Sequence, residues 1–399
     1  MKRTRPALFA LFMLSAAILF TLCATSSRAQ HALPRGTPLL FQKSAESMDA
    51  RIAARYAPVF YQGLGEKRRS DYITKFDFDG DWRGDDNWAN SEDTRFPLKA
   101  YIYYAVSETP THLFIHYAVF HPQDYKGGEK GGALLSEILR EGVKRGGKYD
   151  PTGLSDEAVL AHENDMEGCL VVVLKSQEET ETGGTVIYVE TLAHNRFLKY
   201  AAEGDARKSA QGFEAVRVVR EHPLLYIEPK GHGIQAYMGR EKQSPRNGLL
   251  VYSFTGKAEE PATGGSDAAI GYDLLSLRET LWPLARKGVN QTYGAVQRYA
   301  PFSFEVSLGA GRTGKRSADL GTLGTAFLGG VGAPNMARPP WAWADRNEQD
   351  QAMGQWFFDP AATIKRHFNT GADFSLAYTH APFLGVMRTS KKSANRVKG

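Results

Sequence analysis

The stretch His162-Glu163-Asn164-Asp165-Met166-Glu167-Gly168-Cys169-Leu170-Val171-Val172-Val173-Leu174 decides how this chain reads. Its second half is an unbroken apolar, Val-rich run, short enough to be a buried β-strand. Its first half is polar and feeds directly into that strand. In a strand the side chains alternate between faces, so Asp165 and Glu167 point the same way, and Cys169 and Val171 continue their face. Two carboxylates on one buried face repel each other and lose hydration unless a cation or hydrogen-bond donors lie between them. His162 stands three residues before Asp165, an odd offset, and joins that face only if the chain bends at Glu163-Asn164. One imidazole and two carboxylates converging on a point suit Mg, Ca, Mn or Zn and do not choose among them.

Outward from this stretch the signal stays mostly β. Leu98–Val106, His112–Phe120, Thr185–Leu192, Leu224–Glu228 and Leu249–Phe254 are short runs rich in Val, Ile, Tyr and Phe, divided by Gly, Asp and Pro clusters. No helices at βαβ spacing interrupt them, so the pattern predicts a mainly β chain, a β-sandwich with helical and loop insertions. A helix is expected over Met48–Tyr56, ended by Ala57-Pro58. Residues 127–150 read as an insertion around one amphipathic helix, Leu134–Val143, and the glycine-rich, basic stretch Gly309–Gly332 reads as a long flexible loop. Cys169 is a small apolar filler of its strand.

The ends carry most of the charge. Lys2, Arg3 and Arg5, then the apolar run from Ala7 to Leu22 and the site Ser27-Arg28-Ala29, form the pattern of a secretory signal peptide over residues 1–29. Removing its four cations takes the formal net charge from +5 to +1, and removing Arg388, Lys391, Lys392, Arg396 and Lys398 of the basic tail leaves the body at −4. The body therefore has no electrostatic support for nucleic-acid binding, and the tail offers at most a weak hold on anionic surfaces. No later stretch is long enough to span a bilayer, so the expected product is exported, secreted or periplasmic. Cys169 alone remains after cleavage, which excludes an intramolecular disulfide. The order expected is a leader at 30–50, a metal-binding sandwich at 51–255, a C-terminal layer on the same body at 256–387 and the tail at 388–399.

Two further histidines sit at strand ends, where β-folds gather functional groups. His194 ends the strand before it, and His232 follows Pro229-Lys230-Gly231. Together with His162, Asp165 and Glu167 they form the candidate metal set. A second candidate is the loop from Asp77 to Asn87, in which Asp77, Asp79 and Asp81 fall at every second position, a spacing that suits calcium, although position twelve is Trp88 and no EF-hand results. Neither Gly-x-Ser-x-Gly, nor a phosphate-cradling Gly-x-x-x-x-Gly-Lys, nor His-Glu-x-x-His occurs, so any hydrolysis would run through a metal-bound water.

His-x-x-Asp-x-Glu at the head of an apolar strand resembles the motif shared by the necrosis-inducing proteins of plant pathogens and a related vacuolar protein sorting-associated family. The strand ending in His194, the phrase Tyr226-Ile227-Glu228-Pro229-Lys230-Gly231-His232, Tyr56-Ala57-Pro58-Val59 and Phe120-His121-Pro122-Gln123-Asp124 are similar to stretches of these families, over roughly residues 50–255. The resemblance implies a divalent metal held by His162, Asp165 and Glu167 on a β-sandwich, with Asp150 or Asp156 as the upstream aspartate. Met166 stands where those proteins carry tryptophan, and Asn164 where the necrosis-inducing proteins carry a second histidine. Three readings follow. In the first, the metal holds an extracellular polar head group, of a glycan or lipid, with Trp82, Trp88, Trp341 and Trp343 as stacking surface. In the second, a hydrolase uses Glu163 or Glu167 as base. In the third, the metal is purely structural.

Overall fold

The computed structural model describes residues 47–125, 161–176, 183–204, 212–239, 248–262, 269–287, 290–331, 337–348, 350–371 and 373–388. The signal segment, the helix expected at Leu134–Val143, Asp150, Asp156 and the tail beyond Arg388 lie outside them. Helix α1 (Met48–Arg55) opens the described chain. Ser47 Oγ accepts from Ala50 N at 3.2 Å, Asp49 lies in its first turn and Arg55 in its last. Its inner face buries Ile52 and Ala53, and Tyr117 Oη–H donates to the Ala53 carbonyl at 2.7 Å.

Twelve strands follow: β1 (Val59–Gly63), β2 (Tyr101–Glu108), β3 (His112–Asp124), β4 (His162–Lys175), β5 (Gly184–Leu192), β6 (Phe197–Ala202), β7 (Glu214–Val216), β8 (Val218–Val219), β9 (His222–Ile227), β10 (Ile234–Ala236), β11 (Leu249–Phe254) and β12 (Ala269–Ser276). A short helix, α2 (Asn87–Glu92), lies between β1 and β2. The strands pair in the order β10-β9-β1-β11-β12-β2-β3-β4-β5-β6-β7, with β8 on β9. The mainly β expectation holds, but the strands make one continuous mixed sheet rather than two facing ones. β1 runs parallel to β9, β12 to both β11 and β2, and β7 to β6. The sheet curls until its ends nearly meet, with β10 against β4 and β5, and β7 against β9.

The apolar run of β4 lacks alternation because both its faces are covered. Cys169, Val171 and Val173 face the interior of the curl, among Phe60, Tyr117, Tyr252 and Tyr272. Leu170 and Val172 face outward, under a layer built from residues beyond 277. That layer contains α3 (Leu281–Ala285), β13 (Tyr293–Arg298), β14 (Phe302–Gly309), β15 (Arg312–Ala318), β16 (Thr322–Phe327), α4 (Gln355–Phe358), α5 (Pro360–Phe368) and β17 (Ala377–Tyr378). β13 pairs with β16, and β14 pairs with both β15 and β17.

Two expectations are corrected here. Gly309–Gly332 is not a flexible loop: it holds β15 and β16. Its glycines serve packing as well as turning, since a Cβ on Gly324 would lie 2.5 Å from the Tyr293 ring. The tryptophans are not a ligand-stacking surface either. Trp88, Trp341 and Trp343 are buried, and Trp82 is half-buried against the outer core. Trp343 approaches so closely that a Cβ on Gly168 would stand 2.4 Å from its ring and 2.3 Å from the Tyr117 carbonyl oxygen.

Candidate functional site

The head of β4 meets the end of β3 at the seam where the sheet nearly closes. The antiparallel register sets Asp165 opposite His121, Glu167 opposite Val119, and His162 opposite Asp124. The bend expected at Glu163-Asn164 is present at Asn164, whose φ of 61° is left-handed. It causes no register slip, because Gln123↔Glu163 and Asp124↔His162 keep the same offset. The Asn164 amide is held on three sides: Asn87 Nδ2 donates to its Oδ1 at 2.7 Å, and its Nδ2 donates to the carbonyls of Gly84 (2.8 Å) and Leu328 (2.7 Å).

Glu163 serves this anchoring rather than the cluster. Its carboxylate accepts from Trp88 N at 2.6 Å, from Val331 N at 3.2 Å and from Gly330 N. Burial pushes its pKa up to about 7 against the pull of those three donors.

Asp165 points into the curl and meets His232, which the turn after β9 brings back across the seam. His232 Nδ1 is 2.9 Å from Asp165 Oδ2, and its Nε2 is 3.3 Å from Asp71 Oδ1. Asp71 is fixed by Gly65 N at 2.6 Å and Lys230 N at 2.7 Å. The His121 ring stacks on the His232 ring, with centroids 3.7 Å apart and planes at 6°, and His121 Nε2 is 3.1 Å from Gln62 Oε1. All of these side chains are buried. Burial alone would discharge His232, but Asp165 and Asp71 on either side raise its pKa and keep it an imidazolium. Burial likewise opposes ionisation of Asp165, and His232, with smaller contributions from His162 and His121, holds that carboxyl below the usual range. Its stacked neighbour goes the other way: burial and the charge on His232 keep His121 neutral.

Glu167 completes the cluster and is its least satisfied member. Oε1 accepts from His194 N at 3.3 Å, while Oε2 is buried without a hydrogen-bond partner. Burial, then the charges of Asp165 and Asp124, raises its pKa well above the ordinary glutamate value. His162 Nε2 lies 3.4 Å from Asp124 Oδ2. The fold thus gathers His162, Asp165, Glu167 and His232 at one buried polar end of the curl. His194 enters only through its backbone N–H, because its imidazole turns to Glu228 Oε2 at 2.9 Å on the half-exposed rim. Sequence reasoning missed Asp71, His121 and Asp124. The phrase Phe120–Asp124 already held two of them, and only the pairing of β3 with β4 brings them to the site.

Five non-glycine residues at this seam take left-handed backbone: Asn164 (φ 61°), His194 (52°), Asn195 (58°), Lys230 (71°) and His232 (53°). Each such residue costs on the order of 1 kcal/mol, and such concentrations mark functional sites.

The acidic loop is a separate feature. Asp79, Asp81 and Asp86 each bring one oxygen within 4.8 Å of the other two, a spacing that would hold a cation. Asp86 replaces the expected Asp77, which pairs with Lys75 Nζ at 3.0 Å. Burial raises the carboxyls of Asp79 and Asp86, while Arg83 Nε stands 3.7 Å from Asp86 Oδ2.

No family model matches the chain, and no curated protein matches it. Solved structures with which it aligns are necrosis- and ethylene-inducing toxin-fold proteins at low identity. One described as "Toxin fold for microbial attack and plant defense" is 11% identical over 51% of this chain and 72% of its own, with a TM-score of 0.26. NLPPya in complex with mannosamine is 12% identical over 62% and 77%, with a TM-score of 0.27. Necrosis and Ethylene inducing Protein 2 from the causal agent of cocoa's Witches Broom disease is 15% identical over 47% and 53%, with a TM-score of 0.20. At such TM-scores the likeness assigns no residue of this chain a role, and no vacuolar sorting protein stands among the three.

Proposed function

We propose that this is an exported divalent-cation-binding protein in which Asp124, His162, Asp165 and Glu167 hold the ion at the polar end of the curled sheet. The observation that supports this reading is Glu167, whose buried Oε2 has no hydrogen-bond partner and whose carboxyl is pushed toward the protonated form by burial and by two neighbouring carboxylates. A proton on Glu167 does the neutralising that a cation would otherwise do; the ligand atoms of the seam are not drawn within 4.8 Å of one another as those of the acidic loop are, so ion binding there would pull the carboxylates inward. The donor set is mostly carboxylate oxygen with one imidazole, which suits Mg, Ca, Mn or Zn. His232 and Asp71 lie behind Asp165 and orient it, as outer groups orient metal ligands.

An ion held there would take a polar head group, of an extracellular glycan or lipid, as its remaining ligand. Secretion through residues 1–29 and a distant relation to the vacuolar protein sorting-associated proteins belong to the same reading. Hydrolysis has the weaker case: Glu163 is occupied by three backbone donors, which leaves Glu167 as the sole candidate base of the two.

The test is isothermal titration of the metal-free chain with Mg, Ca, Mn and Zn salts, repeated on Glu167→Gln and on Asp81→Asn. Saturable 1:1 binding that Glu167→Gln abolishes and Asp81→Asn leaves intact is the expected result. Binding abolished by Asp81→Asn alone would move the cation to the acidic loop and overturn the assignment.

A further inference from the structure

The β14–β15 hairpin leaves the C-terminal layer and runs past its core. Its base is anchored: Phe304 and Val306 are buried, and β17 pairs only with Glu305 and Val306. Beyond that point, among the described residues, the two strands pair only with each other. Leu308 is the extra residue of a bulge, since Ser307 pairs with Thr313 and Gly309 with Arg312. The bulge lays Leu308 over Gly314, where its side chain would meet an added Cβ at 3.2 Å, and leaves it 53% exposed. The tip turns through Gly309 (φ 84°), Ala310 (φ 50°) and Gly311 (φ 71°). Ala310 is a left-handed position filled by a methyl-bearing residue rather than by glycine or asparagine. The tip from Leu308 to Gly311 therefore carries no polar side chain.

Arg312 stands directly behind the tip, and Lys315 and Arg316 follow on the same strand opposite Glu305 and Phe304, all three exposed. Among the described residues none of the three forms an ion pair, and the one acid on the hairpin is Glu305, the cross-strand neighbour of Lys315. Charge on an exposed edge strand is a common guard against aggregation. That role accounts for Lys315 and Arg316, but not for a leucine pushed out by a bulge at an uncharged tip. An apolar tip with a basic collar fits a surface that is apolar below and anionic above.

We propose that the β14–β15 hairpin is a membrane-contact element that seats Leu308 in the interface of an anionic bilayer while Arg312, Lys315 and Arg316 engage the lipid phosphates. A nucleic acid or a polyanionic glycan would use the cations but give Leu308 nothing to bury against. The proposal is independent of the cation site at the sheet seam.

The test is co-sedimentation of the full chain with vesicles of phosphatidylglycerol and phosphatidylcholine, against vesicles of phosphatidylcholine alone, which report any uptake by the apolar residues 7–22. Each basic residue near an anionic surface is worth about fivefold in partitioning. K315E/R316E should therefore weaken binding to the anionic vesicles by about tenfold or more, and Leu308→Ser should weaken it several-fold with an unchanged melting temperature. High salt should release the wild-type chain. Equal binding to both vesicle types, or hairpin variants that bind like wild type, would overturn the proposal. So would loss of binding on neutralising Lys391, Lys392, Arg396 and Lys398 alone, which would place the contact in the tail. Heparin binding as tight as vesicle binding and indifferent to Leu308→Ser would make the hairpin a polyanion site and also end the lipid proposal.

Discussion

At the scale of single residues, Asp165 and Glu167 share one face and one neighbourhood yet have opposite electrostatic fates. Asp165 has His232 as a charged partner and stays ionised. Glu167 has a backbone N–H and two negative neighbours, and favours its proton. Asp165→Asn would strand the buried imidazolium of His232 and cost on the order of 3 kcal/mol in chemical denaturation. Glu167→Gln, which copies the protonated form, should cost less than about 1 kcal/mol in metal-free buffer. A larger loss from Glu167→Gln than from Asp165→Asn would contradict this division of roles. His116 gives a pH signature away from the site. Burial pushes it down to about 3, with Nε2 3.0 Å from the Trp356 carbonyl oxygen, so it stays neutral in the fold and charges readily once unfolded. Its contribution is complete above the unfolded pKa near 6.5 and is lost as pH falls toward 3, up to about 5 kcal/mol. Glu163, raised to about 7, works in the opposite sense and adds stability as pH falls from 7 toward 4.5. His116→Gln should therefore lose less melting temperature than wild type between pH 6.5 and 4, and an unchanged slope would refute the assignment.

At the scale of elements, β4 shows what was legible and what was not. Its apolar body, its inward carboxylates and the need for a bend before Asp165 follow from residue type and the two-residue strand period. Asn164 meets that need by leaving the extended region for the left-handed one, with its side chain tied to Asn87, Gly84 and Leu328. His232 was legible from its place after β9, but the other partners of the cluster were hidden because they depend on long-range pairing: His121 and Asp124 arrive through β3, and Asp71 through the closing seam. The mixed order of the sheet was hidden for the same reason, since short strands do not announce parallel neighbours far along the chain. The run Gly309–Gly332 misled because glycine marks flexible turns and close contacts alike. Gly168 separates these two uses. Gly168→Ala would drive a methyl into the Trp343 ring and the Tyr117 carbonyl, and should destabilise the chain by about 2 kcal/mol in urea denaturation. A neutral outcome would mean that the outer layer is not seated on β4 as described.

At the scale of the whole molecule, one curled sheet carries two kinds of surface. Its interior ends in the buried histidine–carboxylate cluster, and its outer face is covered by the aromatic layer from which the β14–β15 hairpin projects. No helix among the described residues is long and apolar enough to cross a membrane. The central claim is that the seam needs a cation. Its most direct test is the melting temperature of the metal-free chain with and without millimolar Mg, Ca, Mn or Zn, for wild type and Glu167→Gln side by side at neutral pH. A ligand at a hundred times its dissociation constant adds about 2.7 kcal/mol. At least one ion should therefore raise the wild-type melting temperature by several degrees and leave Glu167→Gln unmoved. A wild-type chain indifferent to all four ions, or a Glu167→Gln chain that responds equally, would contradict the account.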